Sequence, residues 1–331
     1  MTGYDPGRTF STPADGPKGP PSVEWRTHLD RTRDSEQPIV RGERLYVARA
    51  DRLVSLDAVS GEQYWSVPIL PEGNQPPQHA AASQNTLFTE QFRVSATEGA
   101  KRWTKTEPSY VDLMVVDDLL IAARVPDVAV QLNPENGKIL YEYGLAKAVA
   151  DGGVLYGEDA SGSGRLVGVT VTSAEPAFEA SVDLDPYQLM ATDGVLCGVF
   201  KSLPANDVYL QAFDVKSGER LYRRDLDVHI SDAERIALTD DALYVLGERL
   251  YSFSPTSGEE QWTYAPSSSG VTRIVADRSA VYLCTADAIV AVAHDGTERW
   301  ERKLRSRPLA APIVAGGRLL VSTETDILAF S

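Results

Sequence analysis

The residues of this chain that could carry chemistry are few and far apart. Four histidines, His28, His79, His229 and His294, stand in different stretches, and no two have the spacing of a metal-ligand pair. Cys197 and Cys284 lie inside the strand-like runs VLCGVF and AVYLCTA, so buried thiols are expected and not a disulfide framework. Asp57 and Asp214 have the right chemistry for a cation, but each opens a turn that closes on glycine (DAVSG, DVKSG). There an aspartate reads better as a cap for the turn's N–H groups. Gly162-Ser163-Gly164 falls within a loop, and no glycine-rich phosphate loop opens a helix. Hydrolytic, metal-dependent and nucleotide chemistry have no motif here to rest on.

The elements that would position any site show themselves through a rhythm. Trp25, Trp65, Trp103, Tyr141, Phe178, Tyr222, Trp262 and Trp300 follow one another at intervals of 40, 38, 38, 37, 44, 40 and 38 residues. Six of the eight have a glycine four residues upstream: Gly61, Gly99, Gly137, Gly218, Gly258 and Gly296. A period in this range marks a repeat architecture. The fullest unit, from Pro38 to Ile69, contains four β-branched or aromatic runs separated by turn residues, the pattern of four antiparallel strands. The recurring aromatic falls on the fourth strand, where it is predicted to wedge against the neighbouring blade.

Seven units can be followed in full, the fourth of them degenerate, with Ala174 at the glycine position. An eighth starts at Pro308 and ends after three strands, while Val23 to Leu29 supplies a lone strand-four sequence with its tryptophan. Joining the two ends predicts an all-β fold: an eight-bladed β-propeller of four-stranded antiparallel blades, the last closed by an N-terminal strand. Residues 1–22 are predicted to be an extended or disordered leader, and 23–331 a single propeller.

The units Leu45–Trp65, which carries the form DAxSGxxxW, Val245–Trp262 and Tyr282–Trp300 resemble the repeats of the pyrroloquinoline-quinone (PQQ)-like propellers. The leader GYDPGRTF resembles the entry segment of members from salt-loving archaea. That resemblance, over residues 23 to 331, implies an eight-bladed propeller from a family of quinoprotein dehydrogenases and non-catalytic scaffolds, among them the lipoprotein of the outer-membrane barrel assembly machinery. The dehydrogenases resemble this chain only in their repeats. Their adjacent cysteines are absent here, and no acidic run has Ca²⁺-loop spacing, so neither PQQ nor Ca²⁺ is expected as a cofactor.

The formal net charge of −15 opposes binding to nucleic acid or anionic lipid. Arginine outnumbers lysine 24 to 8, which suits a high-salt environment but equally reflects codon bias. No stretch reaches the length of a transmembrane helix, and the N-terminus lacks a signal-peptide core, so the chain as written is expected to be soluble and cytoplasmic, with an exported or cell-surface form as the alternative if the start site lies upstream; a monomer is expected. The long connections Pro71–His79, Gly157–Arg165 and Phe200–Asp207 fall on one predicted face, the expected place for a protein or peptide partner. His79, Tyr110, Tyr187, Arg273 and Arg307 are the candidate binding residues there. The function expected is a non-enzymatic interaction scaffold, with a quinone- or small-molecule-binding protein, or a PQQ-dependent dehydrogenase, as the alternative.

Overall fold

The computed structural model describes residues 11–12, 14–29, 38–48, 52–68, 80–83, 85–89, 92–104, 110–124, 128–202, 207–226, 235–267, 273–323 and 325–331. Its strands form eight four-stranded antiparallel sheets, seven of them meanders in chain order. Blades 1 to 7 span residues 39–68, 80–104, 110–142, 145–181, 185–226, 236–264 and 273–303. In blade 8, Ile313–Ala315, Arg318–Ser322 and Asp326–Phe330 are completed by Val23–His28. The fold is therefore all-β, an eight-bladed propeller with an N-terminal closing strand. The chain packs as two compact units, one holding blades 1, 2, 7 and 8, the other blades 3 to 6 up to Thr263.

Strands two and three supply much of the core where their sequences are continuous apolar runs. In blade 7 every residue of Ala280–Cys284 and Ala288–Ala293 is buried. Strand four is the outer edge, and one device recurs along it. Wherever its pairing with strand three is described, the register slips just before the aromatic, leaving Glu24, Tyr64, Arg102, Leu140, Ala177, Leu221 or Arg299 as an extra residue. Such bulges twist an edge away from further pairing and re-aim the next side chain.

The re-aimed aromatic lies over the glycine of the following blade. A Cβ on Gly99, whose φ is +72°, would sit 2.8 Å from the Trp65 ring. Trp65 Nε1 also donates to the Ala96 carbonyl of the same turn at 2.9 Å. Trp25 covers Gly61 and Tyr222 covers Gly258 in the same way, while Phe178 is buried in the cluster that includes Leu196 and Phe213 of blade 5. Trp262 packs 5.8 Å from Tyr244. The side chain of Trp103 lies outside the described residues.

Tyr141 departs from this pattern, being 47% exposed. Tyr143, two residues on, enters instead and donates through its hydroxyl to the Val171 carbonyl at 2.7 Å, the same place in the turn as Ala96. The cause lies in blade 4. Its glycine position holds Ala174, left-handed at φ +57°, and the methyl group occupies space that a stacked ring would need. Ala174 packs beside Tyr143 in one cluster.

Blade 8 has no turn between strands three and four, because its chain is cut there. The segment before the closing strand takes over that turn's role. Trp300 Nε1 donates to the Pro17 carbonyl at 3.4 Å, and the Gly16 N–H donates to buried Asp277 at 2.6 Å. Thr12 N donates to the Ala276 carbonyl at 3.1 Å.

Closure is reinforced by charge. Buried Asp326 accepts from Arg26 Nη2 at 2.5 Å and lies 3.2 Å from His28 Nδ1, while Arg318 grips Glu24 through two bonds of 2.6 and 2.8 Å. The Arg26 hydrogen bond holds the Asp326 carboxyl well below the ordinary value of 3.8. A depressed carboxylate stabilises the fold above its unfolded pKa, and that contribution fades as pH falls below about 4. Asp326→Asn is expected to cost about 2 kcal/mol at pH 7. The gap to the parent protein should narrow in denaturant titrations as pH is lowered from 5 towards 2. A gap that stays constant with pH would remove the ion pair from the account.

Candidate functional site

The aspartates that open the three-to-four turns are structural. Asp57 Oδ1 accepts from the N–H groups of Val59 and Ser60 at 2.8 and 2.7 Å, and Asp214 Oδ1 accepts from Lys216 and Ser217 at 3.0 and 2.7 Å. The two thiols are fully buried in different blades, and burial pushes each pKa up to about 12, which leaves no thiolate for nucleophilic attack. Among the described residues no three His, Cys, Asp or Glu side chains gather to hold a metal ion. Of the histidines, His28 belongs to the closing strand and His294 bonds the Asp277 carbonyl at 2.9 Å, while His229 lies outside the described residues.

Of the residues expected to line a binding face, His79 lies outside the described residues. Tyr110 opens strand one of blade 3 and is buried. Arg273 opens strand one of blade 7 and is partly buried, and Arg307 is exposed just ahead of the Pro308–Thr323 bridge. Tyr187, near the start of strand one in blade 5, is 37% exposed and carries the Lys201 ammonium 3.5 Å from its ring centroid. Tyr110 and Tyr187 belong to one compact unit, Arg273 and Arg307 to the other.

Strand one is irregular in three consecutive blades. The register slips at Tyr110/Asp112 in blade 3, at Ala146/Val149 in blade 4 and at Pro186/Gln188 in blade 5. Strand-one pairing is regular in blades 1, 2, 6, 7 and 8. In blades 4 and 5 a glycine on strand two admits the bulge. A Cβ on Gly157 would lie 2.5 Å from the Ala146 carbonyl oxygen, and one on Gly198 would lie 2.1 Å from that of Gln188.

The bulges turn out Lys147 and Tyr187. Lys147 holds φ at +53°, a strained value for a side chain of that size. Its ammonium lies 2.8 Å from Asp185 of blade 5 and 3.2 Å from Glu158, so one lysine ties two blades together. Partial burial disfavours the charge, but the Asp185 hydrogen bond and the Glu158 charge outweigh it and raise the pKa above 10.5. A lysine held so firmly protonated is neither a base nor a Schiff-base nucleophile. The bulges thus gather Lys147, Glu158, Asp185, Tyr187 and Lys201 at the strand-one ends of blades 4 and 5. Sequence reasoning found Tyr187 and missed the rest. The available signal was Gly157 and Gly198, glycines inside strands where no turn needs them.

Fold and site together define a propeller of the PQQ-like repeat type. The model of that family described as outer membrane protein assembly factor BamB matches residues 22–151, 90–265, 205–293 and 247–330, and the chain belongs to this family. Among solved structures it is similar to BamB from Moraxella catarrhalis, with 16% identity, a TM-score of 0.72, and 94% of this chain and 97% of that one covered. A europium-containing methanol dehydrogenase gives 10% identity, a TM-score of 0.73, and coverage of 100% and 97%. The computationally designed Ika8 protein gives 10%, 0.68, and coverage of 92% and 99%. At these identities the likeness is one of fold. No curated protein matches the chain in sequence.

Proposed function

We propose that this protein is a non-enzymatic scaffold that binds a protein or peptide partner through the bulged strand-one ends of blades 4 and 5. The observation that carries this reading is the run of bulges in blades 3 to 5, which presents the Lys147–Asp185 pair and the Lys201–Tyr187 stack. A strained lysine and an exposed aromatic are costly to maintain, and bulges gather next to working sites. The family's description as an assembly factor fits a part played through protein contacts. Bound PQQ with Ca²⁺ is outside the proposal, because the described residues offer neither paired cysteines nor a cluster of ligating carboxylates.

The test is affinity capture by the full chain in its native salt, beside a Tyr187→Asp/Lys201→Glu variant of unchanged melting temperature. A partner retained by the parent and lost by the variant supports the site. Retention by both moves the interface elsewhere. Stoichiometric uptake of PQQ with Ca²⁺ and dye-linked alcohol oxidation overturns the scaffold reading.

A further inference from the structure

The outer strand of blade 3 differs from the other described edges. All four residues of Ile139–Glu142 are exposed, and Ile139, Leu140 and Tyr141 reach 42%, 55% and 47%. Other outer strands guard themselves. Proline ends Gln63–Pro68 and begins Pro176–Ser181, and charged residues punctuate Val23–His28, Arg220–Leu226 and Glu298–Lys303. Only part of this exposure follows from the repeat. The bulge pushes Leu140 outward, as it does Tyr64 and Leu221, but Tyr141 is outside because Ala174 leaves it no seat. An apolar triplet on a sheet edge calls for a cover.

Lys138-Ile139-Leu140-Tyr141-Glu142 is complementary to its own reverse. Laid antiparallel about a two-fold axis through Leu140, Lys138 faces Glu142 of the second copy at both ends. Ile139 faces Tyr141, and Leu140 meets its own counterpart. The Glu142 carboxylate is already held at the end of the strand by Arg124, 2.9 Å away, so it stands ready for a second cation. We propose that this edge is the contact between two copies of the chain, an isologous pair built blade 3 to blade 3. The bulge at Leu140 breaks the backbone ladder, so side chains carry the contact. The dimer is accordingly weak, with a Kd on the order of tens of micromolar.

Sedimentation equilibrium of the full chain, from about 5 to 500 µM, reads this directly. The expected result is a reversible monomer–dimer equilibrium that stops at the dimer. Leu140→Arg should abolish it. Lys138→Glu or Glu142→Lys alone places two like-charge pairs in the contact and should weaken the dimer about tenfold. The Lys138→Glu/Glu142→Lys double variant reverses both ends together and should restore the parent Kd to within about threefold. Thermal melts within a few degrees of the parent establish that each variant is folded. A monomer throughout the range, a double variant no better than the singles, or a Leu140→Arg protein that still dimerises overturns the proposal.

Discussion

A chain lacking residues 1–29 is expected to lose its cooperative unfolding transition. The deletion leaves Asp326–Phe330, four of whose five residues are buried, as a bare edge. It strips the Trp25 ring from Gly61, the Pro17 carbonyl from Trp300 and the Gly16 N–H from Asp277. It also takes Arg26 from Asp326 and Glu24 from Arg318. Losing one large aromatic contact costs about 3–5 kcal/mol, and each hydrogen bond lost with the strand and its ion pairs about 1 kcal/mol more. Together these approach the whole stability of an ordinary domain, about 5–15 kcal/mol. Circular dichroism melts and denaturant titrations measure the effect. A melting temperature within about 5 °C of the full chain would mean that the N-terminal strand does not hold blade 8 together. Deleting only residues 1–17 separates the two layers of closure. It keeps the strand pairing but removes the substitute turn, and about 1–3 kcal/mol should be lost.

The second large effect is a contrast between two tyrosines and a tryptophan. Trp65→Ala should destabilise the protein by about 3–5 kcal/mol, because it empties the space over Gly99 and leaves the Ala96 carbonyl without its donor. Tyr143→Ala should cost about 3 kcal/mol for the same reasons at Val171. Tyr141→Ala should cost less than about 0.5 kcal/mol, although Tyr141 and not Tyr143 keeps the sequence rhythm. Chemical denaturation of the three variants decides it. Equal losses at Tyr141 and Tyr143 would mean that both rings serve the blade contact.

How far the sequence could be read depends on the range of the physics involved. The aromatic–glycine period is local, set by strand length and turn chemistry within one blade, so it survives as a count. Tyr141 shows the limit. Its position in the repeat is ordinary, and only the methyl group of Ala174, 33 residues away in the next blade, denies it a seat. The candidate site was less legible still. Tyr187 stood out as an aromatic at the start of a strand. Lys147 and Asp185 meet because two strands in neighbouring blades slip their registers, and a register slip is not written in the type of the residue that moves.

Eight units, their four-strand pattern, the divided last blade and the burial of both thiols follow from the sequence by itself, because each depends on periodicities of tens of residues or less. Tertiary structure alone decided which ring wedges blade 3 and which lysine bridges blades 4 and 5. It also decided that Gly16 and Pro17 fill the place of the turn that blade 8 lacks. The physical reason is the same in all three. Contacts between blades are made across interfaces where one methyl group, one bulge or one missing turn changes which neighbour fits, and no repeat unit carries that information alone.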